Sequence, residues 1–540
     1  MNKIFKYKLN FFLIFLFLIS FYNSINQAIY NYDGFHWGLV LFSADGLNKN
    51  LIPYKEVFIH YGFLTTYINS IILKIFDNNF LYIFSLSSFL YAFSIFLIGI
   101  LINKFSNQNL AMVGAITIFL IHPYAIYPWH TYYLFFIFNV FLFFRVSENF
   151  YYQQFSYLIL SLIILFSESF FFPSLIILIF DCFLSLLKQG RFNLIFIKII
   201  FSRIFFYILP FFFFFFYLIT NQIFEEWKVY NQMGKVFFEI LDMNLYSIFI
   251  SFFATLSNKT IEKFFFEPQW IIFSFLIIFN IIYLSKFFSS LFFKKKNNYN
   301  YTLILISFSS LILLFQTLHS ITIFKFSCGL VIGFIVLFSF INSIDDKEIK
   351  IISSSIILFL GLFSFELAKS NSNLTYVYKY KKEDHVKNNY FKYFKSQRLH
   401  QKNWNHLITT SQKIEELKLK CKVTYGANLS KDGLISVIMR DSIKVVHRIP
   451  WFEHKKGSWM NKYYNTFLKY FDVNLLKNIN EQIDKDSIII YTDRENFPTL
   501  FIANKKLDFS NKMNFESLPY SYQNKNKIII FPKKCNNFIS

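Results

Sequence analysis

The amino-acid sequence predicts a polytopic α-helical membrane protein of about eleven transmembrane helices, followed by a C-terminal extracytoplasmic α/β domain. Three observations lead to this prediction. Of the 540 residues, 55% are hydrophobic and only 16% are charged, which excludes a disordered chain. Apolar segments long enough to cross a membrane recur throughout residues 1–366. From residue 367 to residue 540, charged residues become frequent and short β-branched runs appear between turns.

The apolar segments of the first part divide into about eleven candidate spans, because a membrane-crossing helix needs about 20 mostly apolar residues. They are residues 9–29, 80–103, 108–126, 131–146, 154–168, 170–187, 202–221, 268–287, 301–318, 326–342 and 349–366. The fifth and sixth spans are short, and Ser167, Glu168 and Ser169 lie between them, so one long helix is an alternative. A shorter apolar stretch at 245–256 is predicted to lie at the membrane interface.

Positive charges in the short loops predict the orientation of these spans. Lys3, Lys6 and Lys8 precede the first span and indicate a cytoplasmic N-terminus. Most Lys and Arg of the other short loops fall on the same side, so an odd number of spans leaves the C-terminal domain outside. Membrane topology also accounts for much of the net charge of +22, so no nucleic-acid partner is expected.

The C-terminal domain is predicted to mix strands and helices. Four runs are typical of strands: Lys422–Tyr425, Ile443–Val446, Ile488–Tyr491 and Ile528–Ile530. Residues Thr410–Leu419 have the pattern of an amphipathic helix. Cys421 and Cys535 either form a disulfide, which an oxidising compartment permits, or remain two free thiols.

The first loop, residues 30–79, joins the first two spans on the predicted outer side and has an unusual pattern. Asp33 lies where the chain leaves the membrane, ahead of an amphipathic stretch that runs to Gly46. A second apolar helical stretch covers Phe63–Phe76. We therefore expect two helices along the outer membrane surface. Asp33 could instead serve only as a helix N-cap, because Asp is a preferred capping residue.

Histidines also concentrate on the predicted outer side. Those in the membrane part all fall in or beside outward loops: His36, His60, His122, His130 and His319. This one-sided distribution indicates a polar site at the outer face of the membrane.

Two motifs of the first loop resemble the GT-C superfamily of membrane glycosyltransferases, and the similarity is specific over residues 30–76. The first motif consists of Asp33, Gly34, His36 and Gly38, and the second of Pro53, Tyr54, Lys55, Glu56, Phe58, His60 and Gly62. The branch it resembles contains bacterial protein O-mannosyltransferases and lipid A aminoarabinose transferases. This sequence departs from the family at Gly34, where a second acidic residue is common, and at Phe63, where Pro is common.

The resemblance implies a GT-C-like fold, a polyprenyl-phosphate sugar donor and a catalytic role for Asp33 as the base that activates the acceptor. The residues expected to bind the donor phosphate are Lys55, His60, His319 and Lys325, and those expected to bind substrate are His36, Trp37, Glu56, Trp129 and His130. For Lys325 the alternative is snorkelling to the interface, and for His319 a structural hydrogen bond. The loop that carries Trp129 and His130 could equally form an interfacial aromatic belt. Glu168 is either a buried carboxylate or a solvated one.

The function predicted from these features is sugar transfer, hexosyl or pentosyl, at the outer face of the bacterial cytoplasmic membrane. The acceptor is expected to be a glycolipid, a glycan or a protein. No nucleotide cofactor is expected, and dependence on a divalent metal is left open. The alternatives are a polysaccharide polymerase or ligase, a transporter of lipid-linked sugars, and a receptor or assembly factor that acts through the C-terminal domain.

Overall fold

The computed structural model is mostly helical over residues 2–370 and combines helices and strands from residue 384 onward. It describes residues 2–30, 36–55, 57, 59, 61–122, 128–190, 194–228, 245–263, 265–293, 299–317, 322–370, 384–421, 425–428, 434, 437–438, 444–446, 487–491, 499–502, 505–508, 515–522 and 525–532. Helices dominate the apolar part because a helix satisfies its own backbone hydrogen bonds, as a segment in lipid must.

The helices of the apolar part follow the predicted order. They are α1 (Asn2–Tyr30), α2 (His36–Asn48), α3 (Phe63–Ile75), α4 (Leu81–Phe105), α5 (Gln108–Ile121), α6 (His130–Arg145), α7 (Phe150–Phe166), α8 (Phe171–Gln189), α9 (Leu194–Thr220), α10 (Leu245–Glu262), α11 (Gln269–Phe292), α12 (Tyr301–Ile312), α13 (Ile323–Ser327), α14 (Phe334–Ser343) and α15 (Lys347–Ser370). Each predicted span overlaps a helical segment, and α2 and α3 confirm the two helices expected in the first loop.

Within the described residues, seven helical segments are long and apolar enough to cross a membrane. They are Lys8–Tyr30, Leu81–Phe105, Glu168–Gln189, Phe196–Thr220, Gln269–Phe292, Ile323–Ser343 and Lys347–Leu367. Helices α5 and α7 are apolar but contain only 14 and 17 residues, whereas a helix needs about 20 residues to span a bilayer. The polytopic helical fold is therefore confirmed, while the number of spans stays a prediction.

Polar residues of the loops set several helix boundaries. The side chains of Asn107, Asn149 and Asn300 accept hydrogen bonds from backbone N–H groups in the first turns of α5, α7 and α12. Asp346 does the same for α15, accepting from Glu348 at 2.8 Å. These N-caps satisfy N–H groups that the helix itself leaves unpaired.

Two of the apolar segments are interrupted rather than continuous. Ser167 is extended and a 3₁₀ turn at Glu168–Phe170 follows, so the fifth and sixth predicted spans are separate helices. The segment 323–343 consists of α13, a 3₁₀ turn at Leu330–Gly333 and α14. A Cβ atom on Gly333 would lie 2.5 Å from the amide nitrogen of Asn280, so glycine permits this close approach to α11.

The C-terminal part contains helix α16 (Gln401–Cys421), which includes the predicted helix. Its strands are β1 (His385–Lys387), β2 (Arg398–His400), β3 (Tyr425–Asn428), β4 (Lys444–Val446), β5 (Ser487–Tyr491), β6 (Thr499–Ile502), β7 (Lys505–Asp508), β8 (Phe515–Tyr522) and β9 (Lys525–Pro532). Five of them form one sheet in the order β4-β3-β5-β9-β8, and the pairs β1–β2 and β6–β7 stand apart from it.

The five-stranded sheet is mixed. Strands β4, β3 and β5 are parallel, with Tyr425 opposite Lys444 and Ser487. Strands β9 and β8 continue the sheet antiparallel, with Ile489 opposite Ile530. The α/β character of the domain is therefore confirmed. The first predicted strand shares Tyr425 with β3, and its other residues, 422–424, lie outside the described residues.

The chain forms two compact units. The first comprises Met1–Ala28, Phe84–Phe214 and Leu245–Tyr380, and the second comprises Ile29–Ile83, Phe215–Asn244 and Lys381–Ser540. The first loop and the C-terminal domain thus belong to one unit. The division between residues 1–366 and 367–540 stays a prediction based on composition.

Candidate functional site

The first loop is built around a tight turn between α2 and α3. The backbone N–H of Tyr54 donates to the carbonyl oxygen of Val57 at 2.9 Å, and Val57 donates to Ile52 at 3.1 Å. Tyr54 is buried and has a φ of 64°, which is rare for a bulky side chain. The next residue, Lys55, is exposed. The turn therefore holds an aromatic ring inside and presents a cation to solvent.

Gly62 of the second motif has a conformational role at the start of α3. Its φ of 86° and ψ of 149° lie in a region that is essentially restricted to glycine. The carbonyl oxygen of Gly62 accepts hydrogen bonds from the backbone N–H and the hydroxyl of Thr66, at 3.2 and 3.1 Å. A glycine at this position of the motif thus allows the chain to enter α3 directly from the turn.

A row of aromatic rings continues from the turn along α3. The rings of Tyr54 and Phe63 are stacked at 6.5 Å between centroids, and those of Phe63 and Tyr67 at 5.8 Å. Tyr217 of α9 packs against Phe63 at 5.1 Å, within the same compact unit. Tyr67 remains 49% exposed. The row therefore runs from a buried ring at the turn, next to the Lys55 cation, to an exposed ring on α3.

Asp45 on α2 is a carboxylate that the sequence interpretation missed. It is fully buried, and its carboxylate lies 3.3 Å from the Lys49 ammonium, one helical turn away. The hydroxyl of Tyr393, from the C-terminal domain, donates to the same carboxylate at 3.3 Å. An acidic residue inside an otherwise apolar helical stretch, followed by Lys four positions later, was the available signal.

The other predicted residues of the first loop are distributed as follows. Asp33, Glu56 and His60 lie outside the described residues. His36 is the first residue of α2, and its side chain also lies outside the described part. Trp37 is fully buried in the unit that contains the first loop. The roles assigned to these five residues stay predictions.

Trp129 and His130 lie together at the start of α6, in the other compact unit. Trp129 precedes the helix in an extended conformation, and His130 is its first residue. The Trp129 ring packs against Phe324 of α13 at 4.4 Å between centroids. Lys325 is half-buried, with its ammonium 5.9 Å from the Phe324 ring centre. The structure therefore brings the predicted Trp129, His130 and Lys325 to one neighbourhood, and His319 lies outside the described residues.

His122 is a core residue rather than part of a surface cluster. It follows α5 directly, and its side chain is buried. Its Nε2 atom lies 3.1 Å from the hydroxyl oxygen of Tyr132, and the Tyr91 ring packs against it at 4.7 Å. The contact with Tyr132 of α6 gives this histidine a structural role, and its position on the outer side stays a prediction.

Glu168 and the four cysteines are the other residues for which the sequence left two interpretations open or predicted a location. Glu168 is half-buried at the start of a 3₁₀ turn between two helices. Cys182 and Cys328 are free thiols, whereas the Cys421 side chain and all of Cys535 lie outside the described part. Among described residues, no group of three or more His, Cys, Asp or Glu is arranged to hold a metal ion.

Comparisons with known proteins find distant similarities of structure, among them the two solved structures named below. No protein-family model and no curated protein sequence matches the chain. An oligosaccharyltransferase of Archaeoglobus fulgidus, in complex with zinc and sulfate, is 12% identical with a TM-score of 0.47, covering 89% of this chain and 68% of its own. ArnT of Cupriavidus metallidurans, bound to undecaprenyl phosphate, is 7% identical with a TM-score of 0.48, covering 96% of this chain and 97% of its own.

Both of these proteins are GT-C glycosyltransferases, the superfamily that the first-loop motifs resemble. TM-scores below 0.5 and identities of 12% and 7% are too low to assign a donor, an acceptor or a site residue. The function proposed below therefore rests on the residues of this chain.

Proposed function

We propose that the protein is an integral-membrane glycosyltransferase, which transfers a sugar from a polyprenyl-phosphate donor to an acceptor at the outer face of the cytoplasmic membrane. The observation that carries the proposal is the turn at Pro53–Lys55. There Tyr54 is buried at a φ of 64° and the cation of Lys55 is exposed, within a motif that resembles the GT-C superfamily. Strained backbone of this kind is concentrated at functional sites, where contacts with the surrounding structure hold it in place despite its energetic cost.

Transfer from a lipid phosphate makes three chemical demands. A base takes the proton of the acceptor hydroxyl as the acceptor oxygen bonds to the anomeric carbon. The bond from that carbon to the phosphate oxygen breaks, and polyprenyl phosphate leaves with the electron pair. Cations or hydrogen-bond donors stabilise the charge on the departing phosphate. The site must also open at the membrane face, because the donor's tail stays in lipid.

The chain has residues of the right chemistry for the base and for the phosphate. We assign Asp33 as the base. Lys55, His60, His319 and Lys325 are assigned to the phosphate, since Lys acts as a point charge and His as a hydrogen-bond donor. His36, Trp37, Glu56, Trp129 and His130 are assigned to substrate binding. The sugar is a hexose or a pentose, and the acceptor is a glycolipid, a glycan or a protein.

Loss of the gene product tests the proposed function without knowledge of the substrate. Mass spectrometry of membrane glycolipids and envelope glycoproteins is compared between cells with and without the gene. We expect a species that lacks one sugar mass to accumulate in the cells without it. Identical profiles in both fractions would argue against sugar transfer.

Returning the gene as an Asp33→Asn variant tests the assigned base. Asn caps a helix about as well as Asp, so expression and stability should stay near those of the unmodified protein. General-base catalysis typically contributes about 10²–10⁴-fold, so sugar transfer should fall by at least about 10²-fold. Glu56→Gln removes another carboxylate of the same loop and should reduce transfer much less. Near-normal turnover with Asp33→Asn would leave Asp33 only its capping role, and an inactive Glu56→Gln would move the base to Glu56.

A further inference from the structure

A segment of the C-terminal domain, residues 384–404, has a small hydrophobic core of its own. Strands β1 and β2 pair His385 with His400 in this segment, here named the clamp. Trp404 is fully buried, and its indole N–H donates to the carbonyl oxygen of Val386 at 2.7 Å. The Trp404 ring meets Phe394 edge to face at 5.6 Å. The clamp is therefore an ordered element and not a simple connection.

The clamp contacts both ends of the first loop, within one compact unit. At the beginning of the loop, the ring of Tyr30 packs against His385 at 5.8 Å between centroids. At its end, the amide of Asn79 donates to the Ser396 hydroxyl at 2.8 Å. The backbone N–H of Phe80 donates to the carbonyl oxygen of Tyr393 at 3.0 Å. One element thus joins the two chain ends between which the motif residues lie.

Tyr393 adds a third contact, to the middle of the first loop. Its ring stacks on Phe80 at 4.9 Å, and its hydroxyl donates to the carboxylate of Asp45 at 3.3 Å. Both Tyr393 and Asp45 are shielded from solvent, with relative exposures of 1% and 0%. Because water does not reach this carboxylate, losing the Tyr393 hydroxyl would leave Asp45 with one less hydrogen bond and no solvent to replace it.

The ion pair between clamp and loop carries less weight. The Lys395 ammonium lies 2.7 Å from the Asp77 carboxylate, and this hydrogen bond lowers the pKa of Asp77. Because the Asp77 pKa is lowered, the pair stabilises the folded contact above the ordinary carboxyl pKa, and this stabilisation is lost as the pH falls through the lowered pKa. Both side chains are exposed, 50% and 78%, so water and salt screen the pair. The buried contact of Tyr393 with Asp45 is shielded from this screening.

We infer that the clamp sets the conformation of the first loop, and that Tyr393 is a positioning residue for the chemistry that this loop performs. The inference rests on the proposed sugar transfer for its kinetic consequence, but not for the contact itself. Tyr393 acts through Asp45 on α2, the helix that follows Asp33 and precedes the Lys55 turn. The C-terminal domain thereby becomes part of the catalytic framework.

The test compares Tyr393→Phe with the unmodified full-length protein in detergent. The variant keeps the ring that stacks on Phe80 and removes only the hydroxyl. Hydrogen–deuterium exchange should be roughly 10-fold faster around residues 45–57, since a hydrogen bond to a charged group is lost. With a panel of polyprenyl-phosphate hexoses and pentoses as donors, kcat should fall by roughly 10-fold and the KM for the donor should rise less, because the assigned base Asp33 lies in the loop whereas His319 and Lys325, also assigned to the donor phosphate, do not.

Tyr390→Phe is the matched control, because Tyr390 lies on the same segment and is 50% exposed. It should match the unmodified protein in both measurements. Unchanged exchange with Tyr393→Phe would overturn the clamp, and faster exchange with a normal kcat would overturn its positioning role. If the unmodified protein transfers no sugar from any donor, the proposed function fails, while the exchange experiment still decides whether Tyr393 fixes the loop.

Discussion

A single backbone conformation at Gly62 determines how the chain enters α3. Its φ of 86° with a ψ of 149° is a region where residues with a Cβ atom are strained. Gly62→Ala should therefore reduce the free energy of unfolding by about 1–3 kcal/mol. Thermal unfolding of the purified protein in detergent measures this change.

Gly190 provides the control for the Gly62 prediction. It ends α8 in the left-handed helical region at φ 70° and ψ −5°, and an added Cβ atom would meet nothing within 4 Å. Gly190→Ala should destabilise less than Gly62→Ala, because the left-handed region is merely disfavoured for other residues and not essentially restricted to glycine. Equal stability of Gly62→Ala and the unmodified protein would contradict the conformational role of the motif glycine.

Two roles of Lys325, donor binding and snorkelling, predict different donor affinities when its cation is removed. If Lys325 binds the lipid phosphate, Lys325→Ala should weaken binding of a polyprenyl-phosphate sugar. Loss of a charge-assisted hydrogen bond costs about 1.5–3 kcal/mol, or roughly 10–150-fold in affinity. Binding titrations with the purified protein measure the effect.

The controls for Lys325 separate charge from fold. Lys325→Arg keeps the cation and should retain most of the affinity. Lys104→Ala removes a cation whose ammonium donates to the carbonyl oxygen of Val146 at 2.7 Å, and it should leave donor affinity unchanged. An unaltered affinity in Lys325→Ala would favour snorkelling and remove Lys325 from the site.

At the scale of helices, one buried carboxylate connects four elements. Asp181 of α8 accepts two hydrogen bonds from Arg145 of α6, at 2.5 and 2.8 Å, and one from Tyr157 of α7. Arg203 of α9 donates to the backbone carbonyl of Asp181 at 3.1 Å, with its guanidinium 3.9 Å from the carboxylate. Charges buried in a membrane helix bundle persist when they are paired in this way.

Asp181→Asn should therefore be strongly destabilising. It leaves two guanidinium groups without their counter-ion, and breaking a buried ion pair by removing one partner typically costs about 3–5 kcal/mol. Thermal unfolding in detergent should show a much lower midpoint. Asp345→Asn changes an exposed carboxylate of the same unit and should leave the midpoint nearly unaltered. A stable Asp181→Asn variant would show that the arginines do not need the carboxylate.

The sequence predicted elements well where one physical signal dominates. Long apolar runs gave the helices, and β-branched runs such as Ile488–Tyr491 gave β5. Strand β7 was missed because Lys505–Asp508 has little strand propensity and pairs with β6 through its backbone. The contact of Asp45 with Tyr393 could not be predicted, because the two residues lie 348 positions apart in the chain. Contacts between distant segments leave no local pattern.

At the scale of the whole molecule, the side of the membrane on which the second compact unit lies depends on the number of spans. This unit contains both the first loop and the C-terminal domain, so one orientation must serve both. The first loop follows the first span and the C-terminal domain follows the last, so they share a side only if the number of spans is odd. Any odd count satisfies this condition, and the predicted eleven is one of them.

The orientation itself follows from the positive charges. Lys3, Lys6 and Lys8 precede the first span, so the unit should lie outside the cytoplasm. A reporter that is active only in the cytoplasm should be silent when fused after Ser540, and a reporter active only after export should work there. Fusions after Ile344, in a predicted inner loop, should give the reverse pattern. Cytoplasmic activity at Ser540 would place the first loop inside as well, away from an acceptor at the outer face, and the proposed reaction could not take place there.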